Sequence, residues 1–175
     1  MMIPTLAFLV IMTSCEPKME WIASPLTESI GPEQAEVGFD GFQFYLRDSE
    51  ISQQDALMRS EYPMVGPAWG ADQTEDDQFF IISPFNESGT RDVTVTASTT
   101  PPSPKTYNFL GCLPFRVTSG VVSVDGYDEY DRITFEIPPG HYSCYVGFYS
   151  PHKVDIHFCT IKAETFGDVT PNPRS

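Results

Sequence analysis

The sequence predicts an all-β protein, an antiparallel β-sandwich of about eight short strands with at most one short helix. Two observations carry this. Apolar and polar residues alternate in short runs along most of the chain, and turn residues separate those runs at regular spacing. The stretch Leu113 to Pro151 shows both most clearly. Ile133, Phe135 and Ile137 alternate with Thr134 and Glu136, so that strand has one polar face. After Pro138-Pro139-Gly140-His141, the residues Tyr142, Cys144, Val146 and Phe148 alternate with Ser143, Tyr145, Gly147 and Tyr149, which predicts a strand covered on both sides. Pro139 presets φ and Gly140 accepts a positive φ, so this turn is expected to join its two strands tightly.

The remaining elements follow in chain order. Residues 1–36 are expected outside the fold: an apolar run from Ile3 to Met12, then a stretch mixing Pro17, Pro25, Gly31 and Pro32 with polar residues. The sandwich is expected over residues 37–166. Phe42, Phe44 and Leu46 form the first strand, and Ser49 is placed to cap a short helix over Glu50 to Ser60. Glu61 to Gln78 reads as a long surface loop carrying Trp69. Phe79 to Ser83 and Val93 to Ala97 read as strands flanking a turn at Asn86 to Gly89. The three prolines of Ser98 to Lys105 forbid ladder pairing there, predicting a crossover between sheets or a surface excursion. Cys112 to Val117, Val121 to Val124 and Val154 to Cys159 complete the strands, and residues 167–175 read as a flexible tail.

Composition narrows the function classes. Thirteen Phe and eight Tyr in 175 residues supply a single buried core. A formal charge of −14, from 24 acidic against 10 basic residues, repels nucleic acid and anionic membranes at long range and attracts a basic partner. The cysteines Cys15, Cys112, Cys144 and Cys159 have no zinc-type spacing. Cys144 and Cys159 fall in neighbouring strands, where either a bridge or two free thiols fits the pattern. Thr13-Ser14-Cys15 after the apolar run resembles the end of a bacterial lipoprotein signal, although no Lys or Arg precedes it. The expectation is a cytoplasmic protein, the alternative a lipoprotein anchored through Cys15. Contact with a membrane is expected only if Cys15 is lipidated. No pattern in the chain sets an oligomeric state.

The order Leu113-Pro114-Phe115-Arg116-Val117, then Val121 to Val124, then Ile133-Thr134-Phe135-Glu136-Ile137-Pro138-Pro139-Gly140-His141-Tyr142, resembles the competence protein J family. A strand like Phe42 to Leu46 followed by Asp48, a loop with an aromatic residue, and the pair Phe79 to Ser83 and Arg91 to Ala97 fall in the same order. The likeness runs from about Gly38 to Lys162. It implies a small acidic binder that inhibits a DNA-entry nuclease. The apolar N-terminal segment and the prolines from Pro101 to Pro104 depart from that family's pattern, and no motif of contact residues is carried over.

Between Ser60 and Thr90 stand six carboxylates, Glu61, Asp72, Glu75, Asp76, Asp77 and Glu87, and no Lys or Arg. A nuclease groove is basic because it neutralises phosphates, so such a loop with Trp69 as an aromatic anchor is suited to occupy one. The ordinary alternatives are a solvated loop kept acidic for solubility and a Trp folded back over the core. Asp125, Asp128 and Glu129, with Asp131, form a second acidic cluster that lacks the spacing of a calcium loop. The expected partner-binding residues are therefore Trp69, Asp72, Glu75, Asp76, Asp77, Asp125, Asp128 and Glu129, facing a basic nuclease. No metal, cofactor or catalytic residue is expected. Asp155, His157 and Cys159 face one side of a strand, but positions two apart stand roughly 6.5–7 Å from each other with parallel side chains, too far for a Cys–His hydrogen bond.

Overall fold

The computed structural model describes residues 21–39, 43–49, 71–73, 79–82, 89–126 and 131–169. They form two packed sheets. Eleven strands run in chain order: β1 (Ile30–Phe39), β2 (Gln43–Asp48), β3 (Ala71–Gln73), β4 (Phe79–Ile82), β5 (Gly89–Ser98), β6 (Phe109–Val117), β7 (Val121–Asp125), β8 (Arg132–Glu136), β9 (Gly140–Ser150), β10 (Lys153–Cys159) and β11 (Gly167–Asp168). The six-stranded sheet has the order β1-β5-β10-β9-β6-β11 and the five-stranded sheet β3-β4-β2-β7-β8. All neighbours are antiparallel except β5 and β10. The all-β sandwich is thus observed, and a 3-10 turn at Pro104–Thr106 is the sole helical element among the described residues.

Alternation builds the core as expected. Phe44 and Leu46 of β2, Val122 and Val124 of β7, and Ile133 and Phe135 of β8 meet Phe115, Tyr142, Cys144, Val146, Phe148, Ile156 and Phe158 of the other sheet. Phe115 and Tyr142 both meet Phe158 edge-on, and Phe44 tilts against Phe148 with ring centroids 6.5 Å apart. β8 keeps one exposed face, whereas β9, central in its sheet, is buried along most of its length.

Four expectations are corrected. The three additional strands, β1, β3 and β11, each lie at a sheet edge. β1 starts at Ile30, inside the segment expected to lie outside the fold, and Leu26 packs in the core. Pro32 sits where the β1/β5 register shifts, which an edge strand tolerates because its outward N–H needs no partner. Gly167–Asp168, expected in a flexible tail, pairs with β6. The Pro138-Pro139-Gly140 turn does not close a hairpin: it carries the chain from β8 in one sheet to β9 in the other. There the Tyr142 hydroxyl donates to the Pro138 carbonyl at 2.6 Å, a tyrosine corner like that of other sandwiches. Gly140 has φ +148°, and a Cβ on it would stand 2.6 Å from Ser24 Cα.

The segment from Ser98 to Lys105 is an excursion rather than a passage between sheets. It leaves β5 and returns to β6 of the same sheet, passing over the outer faces of β10 and β9. Tyr107 ends this strap and lies flat against Gly147, where a Cβ would overlap its ring. Cys144 and Cys159 are free thiols. Cys144 pairs with Phe158 and Cys159 with Ser143, so the two side chains leave β9 and β10 on opposite faces, and no bridge is possible. The expected helix over Glu50 to Ser60, the turn at Asn86 to Gly89 up to its last residue, and Cys15 lie outside the described residues.

Candidate functional site

The structure separates the expected partner-binding residues. Trp69, Glu75, Asp76, Asp77, Asp128 and Glu129 lie outside the described residues. Asp72 is on the edge strand β3, paired with Phe80. Asp125 is corrected: it is 0% exposed and does not face a partner. Its carboxylate forms an ion pair with Arg47 and accepts a hydrogen bond of 2.6 Å from the Ser123 hydroxyl. Arg47 pairs with Ser123 across the β2/β7 ladder, so the guanidinium and Asp125, two residues further on, share one face. The arrangement satisfies a buried charge and leaves it no free lone pair directed at solvent.

A different set of acids gathers on the outer face of the six-stranded sheet. Glu36 of β1, Asp92 of β5 and Lys153 of β10 stand in one cross-strand row, and Gln34, Thr94 and Asp155 in the next. Together with Tyr149 they line a depression of about 530 Å³. Asp155 accepts from the Tyr149 hydroxyl at 2.6 Å and from the Tyr107 hydroxyl at 3.2 Å. The two tyrosine rings lie 4.6 Å apart. Burial pushes both phenols above their usual range, Tyr107 the further, and the hydrogen bonds to Asp155 add to this. Both hydroxyls therefore remain neutral donors, and they orient Asp155 without supplying a compensating charge. Three carboxylates against one ammonium give the depression a net negative charge.

Asp155, His157 and Cys159 do share this outer face, as the alternation predicts, and each is engaged separately. His157 Nε2 lies 2.8 Å from Ser98 Oγ and 3.0 Å from the Thr100 carbonyl, and burial lowers its pKa. Burial raises the Cys159 thiol and pushes Cys112 up to about 12, the reverse of the activation a nucleophile requires. Among the described residues no group of three or more His, Cys, Asp or Glu side chains is placed to share a metal ion.

Sequence reasoning singled out Asp155 only as one member of a catalytic trio, and it placed Glu36 outside the fold. The depression depends on the parallel β5/β10 pairing, which brings together residues about sixty positions apart, and no local pattern marks that.

Fold and site together define a two-sheet β-sandwich that carries a polar, net-acidic recess on the outer face of its larger sheet. No family model matches the chain, and no curated protein sequence matches it. Among solved structures the chain is similar to ComJ of Bacillus subtilis, an inhibitor of the DNA degrading activity of NucA, with a TM-score of 0.54 and 12% identity over 77% of this chain and 98% of that one. A second similar structure, crocagin biosynthetic gene J, gives a TM-score of 0.49 and 12% identity over 74% and 98% of the two chains. The chain has a ComJ-like fold, in agreement with the resemblance drawn from Leu113 to Tyr142.

Proposed function

We propose that this chain is a non-enzymatic, cytoplasmic binding protein that inhibits a DNA-degrading nuclease of the kind that serves DNA uptake, by setting acidic surface into the enzyme's basic cleft. The observation that carries the reading is the ComJ-like fold, because ComJ is an inhibitor of the DNA degrading activity of NucA. Charge supports it. A nuclease that neutralises phosphates presents Lys and Arg, and a body of charge −14 is drawn to that surface while DNA is repelled by the inhibitor. Glu36, Asp92 and Asp155 offer one contact surface, and Trp69, Asp72, Glu75, Asp76, Asp77, Asp128 and Glu129 are the further contacts proposed from the sequence. In the recess a partner Lys or Arg donates a charge-assisted hydrogen bond to Asp155, which the two tyrosines hold in place. The mechanism is occupancy and needs no cofactor.

Purified chain mixed with cationic DNA-degrading nucleases, NucA among them, is expected to suppress DNA cleavage near equimolar ratio, with inhibition that weakens as salt rises. The triple variant Glu36→Gln, Asp92→Asn, Asp155→Asn is expected to lose about tenfold or more in affinity. Inhibition indifferent to ionic strength, no inhibition of any cationic nuclease, or cleavage of DNA by the chain itself would sink the reading. A second reading rests on Thr13-Ser14-Cys15: an envelope-anchored lipoprotein with a ligand-binding or structural sandwich. Membrane fractionation of wild type and Cys15→Ser decides it, a wholly soluble wild type dismissing the anchor.

A further inference from the structure

The two sheets end in four edge strands, and three of these are blunted against further pairing. β3 is three residues long, β11 is two, and β1 carries Pro32 and a register shift. β8 has none of these protections. Its five residues, Arg132 to Glu136, pair with β7 in unbroken register and include no proline. At the two ends of this ladder the Gly126 N–H donates to the Asp131 carbonyl at 2.8 Å and the Ile137 N–H donates to the Gly120 carbonyl at 3.0 Å. Hydrogen-bonded pairs recur at every second residue, so Asp131, Ile133, Phe135 and Ile137 turn their backbone groups toward β7. Arg132, Thr134 and Glu136 turn theirs away from it. β1 meets β8 at the inward-facing Phe135 ring and beside Asp131 and forms no ladder with it, so among the described residues this outer row of N–H and C=O groups has no backbone partner.

The same three residues are exposed. Arg132 forms no ion pair among the described residues, and Asp125, which faces it across the ladder, is taken by Arg47. Glu136 has no ion pair there either. Their spacing makes the edge self-complementary. When two copies meet antiparallel with Thr134 opposite Thr134, Arg132 of each copy stands opposite Glu136 of the other, and all three residues fall at hydrogen-bonded positions. Sliding by two residues in either direction loses both charge pairs. We propose that β8 pairs with β8 of a second copy in this register, about a two-fold axis at Thr134, joining two five-stranded sheets edge to edge. The occupant is a second copy because one strand carries both halves of the charge pattern. Two bodies of charge −14 repel, but at physiological salt the Debye length is about 8 Å, which confines that repulsion to the contact, where opposite charges stand. The acid-lined recess belongs to the other sheet, so the pairing stands independently of the inhibitor reading.

Sedimentation of the full chain over a range of concentration is expected to show a monomer–dimer equilibrium. Arg132→Glu and Glu136→Arg are each expected to weaken association about tenfold or more, since like charges then face each other at both ends of the pair. An equimolar mixture of the two variants brings opposite charges back together and should recover the dimer, as should a chain carrying both Arg132→Glu and Glu136→Arg. Net charge alone predicts the contrary for Glu136→Arg, which would then associate more strongly than wild type. A wild type that stays monomeric to its solubility limit, single variants that associate as wild type does, or a mixture that fails to recover the dimer overturns the pairing.

Discussion

Two carboxylates, Asp125 and Asp155, occupy comparable positions, each on the outer face of a sheet, and have opposite fates. Asp125 is sealed from solvent with the Arg47 guanidinium and the Ser123 hydroxyl. Asp155 is half-buried at the rim of a recess, and the groups that donate to it are the neutral hydroxyls of Tyr107 and Tyr149. A carboxylate beside a guanidinium has its charge compensated inside the molecule and serves the fold. One that two phenols orient receives no compensating charge from them. Within a chain of charge −14, that distinction separates acids compensated inside the fold from acids left uncompensated more sharply than position in the sequence does.

The contrast can be broken first at Asp125. Asp125→Ala leaves a buried guanidinium without its ion-pair partner and is expected to destabilise the fold by about 3–5 kcal/mol in urea unfolding. Replacing Arg47 and Asp125 together by apolar residues of similar volume should recover much of that loss, and a double mutant no more stable than Asp125→Ala would show that the pair is not the unit.

Gly147→Ala is next. The added methyl group meets the Tyr107 ring and should cost about 1–3 kcal/mol, relieved in the double variant Gly147→Ala, Tyr107→Ala. An unaltered unfolding midpoint for the single variant would mean that the strap does not rest on β9.

Asp155→Asn sharpens the comparison with the smallest effect on the fold, about 1 kcal/mol or less, because the amide oxygen still accepts from the tyrosines. Its signature is spectroscopic. Burial remains the main cause of the raised phenols, but the carboxylate also raises them, so its removal should move the Tyr107 and Tyr149 titration downward in ultraviolet absorbance. The folded pKa of these groups lies above the unfolded value of 10.0, so their contribution to stability is complete below about pH 10 and is lost as pH rises beyond it. An alkaline titration identical in wild type and Asp155→Asn would remove Asp155 from the cluster.

The legible parts of this molecule are those governed by nearest neighbours along the chain. Ile133-Thr134-Phe135-Glu136-Ile137 shows its buried face by alternation alone, because successive strand side chains point to opposite sides. The same parity rule gave Asp155, His157 and Cys159 one face. The edge strands β1, β3 and β11 were not legible, since a strand paired on one side tolerates Pro32 and Gly31 and needs little alternation. The Pro138-Pro139-Gly140 turn was recognised as a tight turn but not as a passage between sheets, because turn chemistry sets a local direction change and not the partner of the strand that follows.

Sequence by itself determined the elements, the apolar faces that make the core, and the excess of negative charge, all of which depend on residue type and short-range order. Only tertiary structure decided which carboxylates that excess leaves uncompensated: the Arg47–Asp125 pair spans 78 residues, and the recess needs β5 and β10 side by side and parallel. Electrostatic compensation acts through space over a few ångströms, so it is settled by strand order and register, which alternation along the chain does not encode.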